Sequence, residues 1–202
     1  MDKYNYSYID EKGIYCYKDS GVLINKLDVQ VESTFVMVER FLSGERQLEL
    51  RENPIKGNYD LAHLKAIHKY LFQDIYHWAG KIRSVAIAKG NLFCLPQYIE
   101  SYANDIFGKL KRDNYYQGYD KEQFLSAITN LLADINALHP FREGNGRTQR
   151  EFIKYVAALN GYDFDWSKVN EKENIVASYE SVNGDNTKLK DILRRIIIKI
   201  EK

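Results

Sequence analysis

The run His139-Pro140-Phe141-Arg142-Glu143-Gly144-Asn145-Gly146-Arg147-Thr148-Gln149-Arg150 places a base, a carboxylate, an Asn between two glycines and a pair of spaced arginines within twelve residues. No packing requirement of a core explains that mixture. Gly, Asn and Gly in succession favour a tight turn whose N–H groups converge on an anion, and the helix-forming run that follows adds a positive dipole end. This reads as a phosphate cradle. His139 stands just before it as a candidate general base, and Glu143 can reach a divalent cation. Arg147 and Arg150, three residues apart on one helical face, form a cationic clamp. Together these are parts for phosphoryl or nucleotidyl transfer.

Several elements must hold these groups in place. From Lys121 to Leu138, Phe124, Ile128, Leu131, Ile135 and Leu138 recur at spacings of three and four, which predicts a helix that delivers His139 to the turn. Phe152, Ile153, Val156, Ala157 and Leu159 make the next helix apolar on more than one side, so it should be central; Asn160-Gly161 stops it. Upstream, helical patterns run from Glu32 to Leu50 and from Asp60 to His77, the second with Asp60 as N-cap. Ile82, Val85, Ile87 and Leu92 around Lys89-Gly90-Asn91 predict a β-hairpin over 81–96 in an otherwise helical chain. Pro96 ends it, a helix follows from Gln97 to Arg112, and Asp113–Gly118 is a loop. Two last helices cover Glu171–Ser181 and Thr187–Ile200. The tyrosine-rich residues 1–30 read as an extended arm.

The bulk properties set outer bounds. With 202 residues and 45% hydrophobic content the chain fits a single domain, residues 1–202. Lys and Arg number 29 against 28 Asp and Glu, a net charge of +1, so direct nucleic-acid binding has no electrostatic basis. Two cysteines, Cys16 and Cys94, make no disulfide framework and have no metal-ligand spacing. The N-terminus lacks an apolar signal core and Ile196–Ile198 is far too short for a membrane span, so a cytoplasmic location is expected.

His-x-Phe-x-Glu-Gly-Asn-Gly-Arg-x-x-Arg resembles the full signature of the Fic family of nucleotide-transferring enzymes. Asn53-Pro54-Ile55, Asp60-Leu61, His63-Leu64, Ile67-His68, Leu71-Phe72 and Asp74-Ile75-Tyr76-x-Trp78-Ala79-Gly80 resemble the helical approach of that family. The resemblance implies an all-α, Fic-type helical domain with a short β-hairpin flap. It implies transfer of AMP from ATP to a hydroxyl of a target protein, with His139 as base and Glu143 on magnesium. Asn145 and the N–H groups of Gly144 and Gly146 would hold the α-phosphate, and Arg147 and Arg150 the β- and γ-phosphates. Phe141 anchors the loop, and Arg142, at a variable position, has no role. Doc-type relatives carry Lys where Gly146 stands, so Gly146 favours AMP transfer. Ile87, Lys89, Gly90 and Phe93 are the flap candidates for target contact.

Regulation is read from a missing segment. Many Fic proteins carry an inhibitory helix with Ser or Thr, three residues, Glu, then Gly or Asn. Ser7/Glu11 and Ser167/Glu171 are each followed by Lys, and Ser181/Asp185 has the shorter acid. The segment 177–189 instead resembles Fic toxins inhibited by a small separate antitoxin, which points to an antitoxin partner and to gyrase or topoisomerase IV ATPase subunits as targets. The alternatives are a Fic-fold transferase with another nucleotide or phosphate donor, a secreted effector domain modifying a host protein, and a non-enzymatic ATP sensor.

Overall fold

The computed structural model describes residues 7–9, 13–89 and 91–200. Among the described residues seven α-helices build a core in which α2 (Leu61–Phe72), α4 (Lys121–Leu138) and α5 (Asn145–Leu159) meet, with α1 (Glu32–Glu52) and α3 (Ile99–Arg112) packed outside them. α6 (Glu171–Val182) and α7 (Thr187–Ile196) close the C-terminal side against α4. α4 has the predicted bounds. A capping box starts it, with Asp120 accepting from the Gln123 N–H at 2.9 Å and Gln123 Oε1 accepting from the Asp120 N–H at 3.0 Å. Phe124, Ile128, Ile135 and Leu138 are at most 1% exposed, and each contributes roughly 1.5–3 kcal/mol by leaving water.

α2 starts as expected, with Asp60 Oδ1 accepting from the His63 N–H at 2.8 Å, but ends at Phe72 rather than His77. The Ile75 and Tyr76 N–H groups both turn back to the Phe72 carbonyl. Lys26 then takes the carbonyls a longer helix would have used, its N–H bonding Ile75 and its Nζ bonding Gln73. The N-terminal arm therefore defines where α2 stops.

The hairpin is present as β2 (Ala86–Lys89) and β3 (Asn91–Leu92), and a further strand, β1 (Ser7–Ile9), pairs antiparallel with β2. The sheet order is β1-β2-β3, so β2 is its middle strand. A second sheet pairs β4 (Tyr162–Phe164) with β5 (Ile197–Lys199). The last helix consequently stops at Ile196 and not at Ile200, because the β-branched run from Ile196 pairs with β4 instead of making another turn. The fold is mostly helical with two small antiparallel sheets. No helix among the described residues is long and apolar enough to cross a membrane.

Candidate active site

Pro140 bars the α conformation at the residue before it, and His139 closes α4 in the left-handed region, φ 43° and ψ 59°. Its imidazole is 4% exposed, and Nδ1 lies 3.2 Å from the Asn136 carbonyl. A carbonyl only accepts, so Nδ1 carries the proton and the basic lone pair is on Nε2. The Phe93 ring stacks on the imidazole at 3.9 Å between centroids and 13° between planes.

The loop after His139 is braced from within. Asn145 accepts the Phe141 N–H at 2.9 Å through Oδ1 and donates Nδ2 to the Phe141 carbonyl at 2.8 Å. The Asn145 side chain is thus tied to the loop through Oδ1 and one Nδ2 hydrogen, and its backbone N–H lies in the first turn of α5. Gly144 is the N-cap at φ 80°, and a Cβ there would lie 2.4 Å from the Phe72 ring, so glycine is required. The first N–H groups of α5 have no acceptor inside the helix and lie at its positive end.

His68 supports this turn from below. It is fully buried, its ring stacks on Phe141 at 3.8 Å, its Nδ1 accepts from the Gly80 N–H at 2.8 Å and its Nε2 donates to the Glu143 carbonyl at 3.0 Å. Burial pushes its pKa down to about 3, with the nearby Arg147 charge acting the same way against the Glu143 carbonyl bond, so it stays neutral. Phe141 is 0% exposed and anchors the loop as its sequence position suggested.

Arg147 does not pair with Glu151. Its Nη1 and Nη2 make a bidentate pair with Glu39 of α1 at 2.7 and 2.6 Å, Nη1 also reaches Ser43 Oγ at 2.7 Å, and the guanidinium lies 4.7 Å over the Phe72 ring. Burial works against its charge, but the Glu39 carboxylate outweighs this and raises its pKa. Glu151 instead accepts from Gln47. Arg150 lies 5.7 Å over the Trp166 ring. Glu143 accepts the Gly144 N–H through Oε1, 3.9 Å from Arg147.

A cavity of about 690 Å³ gathers these groups. His139, Glu143, Gly144, Gly146, Arg147 and Arg150 line it together with Phe93, the α1 residues Arg40, Gln47 and Arg51, and the α6 residues Ser178 and Tyr179. Its size suits a nucleotide. A Cβ at Gly146 would meet only Arg150 Nη1, at 3.4 Å. The described residues contain no cluster of three His, Cys, Asp or Glu that could hold a metal by themselves. Of the cavity's carboxylates Glu39 is engaged by Arg147, while Glu143 stands beside the N-terminus of α5, where it fits magnesium bound mainly through phosphates and water.

The flap residues are placed differently. Ile87 is 1% exposed in the middle strand, and its carbonyl accepts the Phe93 N–H. Phe93, 6% exposed, serves His139. Lys89 lies in β2, and Gly90 falls outside the described residues. Arg142, expected to be neutral to the site, is 4% exposed with its guanidinium 5.7 Å over the Tyr15 ring and Nη2 3.7 Å from Cys16 Sγ, which ties the arm to the loop. Sequence reasoning missed Glu39, Ser43, Arg83 and the work of His68. Glu39 had a signal: Phe35, Glu39, Ser43 and Leu50 share one helical face, and a carboxylate there needs a cation.

Comparison with known proteins agrees with this geometry. Residues 58–157 match the Fic/DOC family. The chain is 41% identical over 182 residues to protein adenylyltransferase VbhT of Bartonella schoenbuchensis, covering 90% of this chain and 38% of that protein. It is 39% identical over 184 residues to the probable protein adenylyltransferase y4lH of Sinorhizobium fredii, covering 90% of this chain and 94% of that one. A solved N-terminal Fic domain from Bartonella quintana with bound ADP superposes with a TM-score of 0.87 at 26% identity, over 93% of this chain and 96% of that one. The chain belongs to the Fic/DOC family, and within it to the protein adenylyltransferases, which are nucleotidyltransferases.

Proposed function

We propose that the chain transfers AMP from ATP to a hydroxyl side chain of a target protein, with His139 as general base. The observation that carries this reading is the juxtaposition, in one cavity, of a His139 Nε2 lone pair with the N-terminus of α5 and two arginines. As the target oxygen attacks the α-phosphorus, Nε2 takes its proton, the new O–P bond forms, and the bond from phosphorus to the pyrophosphate oxygen breaks. The N–H groups of Asn145 and Gly146 would face the α-phosphate, and Arg147 and Arg150 would balance charge on the departing pyrophosphate. Glu143 would hold magnesium, which supplies charge neutralisation across the phosphates when bound. The absence of a side chain at Gly146, where a Cβ would lie 3.4 Å from Arg150 Nη1, supports ATP in the orientation that exposes its α-phosphorus.

The target reading is a bacterial toxin acting on gyrase or topoisomerase IV ATPase subunits, held inactive by a small antitoxin. What supports a helical partner is α1, where Met37, Phe41 and Leu48 are 65, 65 and 53% exposed along one stripe, with Gly44 between them leaving open space. Arg40 and Arg51 flank that stripe and also line the cavity, which suits an acidic amphipathic helix. The test is incubation of the purified chain with ATP, magnesium and each topoisomerase subunit, followed by mass spectrometry of peptides and assay of pyrophosphate. An AMP adduct on a Tyr, Thr or Ser supports the reading. Nucleotide binding with no adduct on any protein, including those of a bacterial lysate, would refute it.

A further inference from the structure

Arg83 lies outside the signature, yet it is among the most completely buried side chains, at 2% exposure. Among the described residues it pairs with no carboxylate. Its guanidinium donates to three carbonyls: Nε to His139 at 2.8 Å, Nη1 to Val85 at 2.6 Å, and Nη2 to Cys94. Its own N–H donates to the Pro140 carbonyl at 2.9 Å, and the Cys94 N–H donates to the Ala137 carbonyl at 3.0 Å. Val85 stands just before β2 and Cys94 shortly after β3. One side chain thus holds both ends of the flap and the backbone of the base.

Burying a guanidinium against neutral acceptors is costly, and a purely structural need could be met by apolar packing. Three buried carbonyls that diverge from one point do need a planar fork, which Lys cannot supply. His139 sits in the left-handed region, where no regular helix bond fixes its carbonyl, so the Arg83 bond restrains the backbone that aims the imidazole. Phe93, the residue before Cys94, stacks on that imidazole, so a shift at the Cys94 carbonyl also moves the ring that confines the base.

We infer that Arg83 is a positioning residue that locks the flap to the catalytic base, so that the hairpin and the His139 ring move as one unit. The inference rests on His139 being the base, and it extends to the target: a protein chain engaging the flap would act on the base through Arg83.

The experiment compares the full chain with Arg83→Lys, using long-range proton–nitrogen NMR of the four histidine rings, the His139 signals being assigned by their loss in His139→Ala. In the unsubstituted chain the His139 ring should show the Nδ1–H pattern. In Arg83→Lys its nitrogen shifts should move toward a mixture of tautomers, while the His68 ring keeps its Nε2–H pattern. ATP affinity should change by less than about threefold, because the α5 cradle is held by Asn145 and His68. Labelling of target from α-phosphate-labelled ATP should fall about 10–100-fold, the cost of misplacing a reacting group. Where Arg83→Lys does not fold, Arg83→Gln, which keeps donors without burying a charge, takes its place. Unmoved His139 signals, or ATP affinity lost in step with labelling, would overturn the inference. The base reading fails separately: full labelling by His139→Ala refutes it whatever the spectra show.

Discussion

Phe93 and His139 face each other as parallel rings 3.9 Å apart, one from the hairpin and one from the end of α4. The contact makes the flap part of the active site rather than an accessory to it. Phe93→Ala should leave ATP affinity unchanged and lower the turnover of AMP transfer about 3–10-fold, in line with the ~0.5–1.5 kcal/mol of an aromatic pair. Parallel isothermal titration and single-turnover labelling would measure the two effects. Equal losses in both would mean that Phe93 shapes the nucleotide cavity instead.

Two glycines in the same turn should respond oppositely. Gly144→Ala forces a Cβ to within 2.4 Å of the Phe72 ring at a φ of 80°, so it should abolish ATP binding and lower the melting temperature. Gly146→Ala places its Cβ 3.4 Å from the mobile end of Arg150 and should be folded, with ATP affinity reduced by less than about tenfold. Thermal melts with and without ATP report both.

The bidentate pair of Glu39 with Arg147 joins α1 to α5. Glu39→Gln leaves the guanidinium with a neutral acceptor and should destabilise the apo chain by about 2 kcal/mol, less than for a fully buried pair because Arg147 keeps 23% of its side chain exposed. Saturating ATP should recover part of that loss, since phosphate oxygens can replace the missing charge. Urea midpoints with and without nucleotide test this; a deficit that ATP does not reduce would count against phosphate binding at Arg147.

His68 gives the chain a pH signature. Its folded pKa, about 3, lies below the ordinary histidine value because burial opposes the charged ring. The unfolded chain therefore binds more protons below about pH 6.5, so stability is full above that value and falls as pH drops toward 3, by up to ~1.4 kcal/mol per unit. His63 is lowered in the same direction, mainly by burial. Urea midpoints at pH 7.5 and 5.0 should drop for the unsubstituted chain and drop less for His68→Gln. Identical drops would assign the dependence to other groups.

The catalytic turn and the helices on either side of it were legible in the sequence because local signals agreed there: an apolar repeat ending at Leu138, a proline after His139, and glycines where the turn needs them. What escaped depended on partners distant in the chain. α2 stops early because Lys26 takes the Gln73 and Ile75 carbonyls, and α7 stops early because β4 offers β5 an edge. The pairing of residues 7–9 with β2, which makes the strand of Ile87 the middle one, has no local signature. Arg83 is another such case: it precedes β2, where no strand period applies, and the His139 carbonyl that it holds lies 56 residues away in the chain.

The central claim is that His139 removes the proton from the target hydroxyl. Its most direct test is single-turnover labelling of target with α-phosphate-labelled ATP and magnesium, by the unsubstituted chain and by His139→Ala, with ATP affinity measured on both. In His139→Ala labelling should fall by at least about 100-fold with ATP affinity essentially unchanged. Labelling that persists within a few-fold in His139→Ala would contradict the claim.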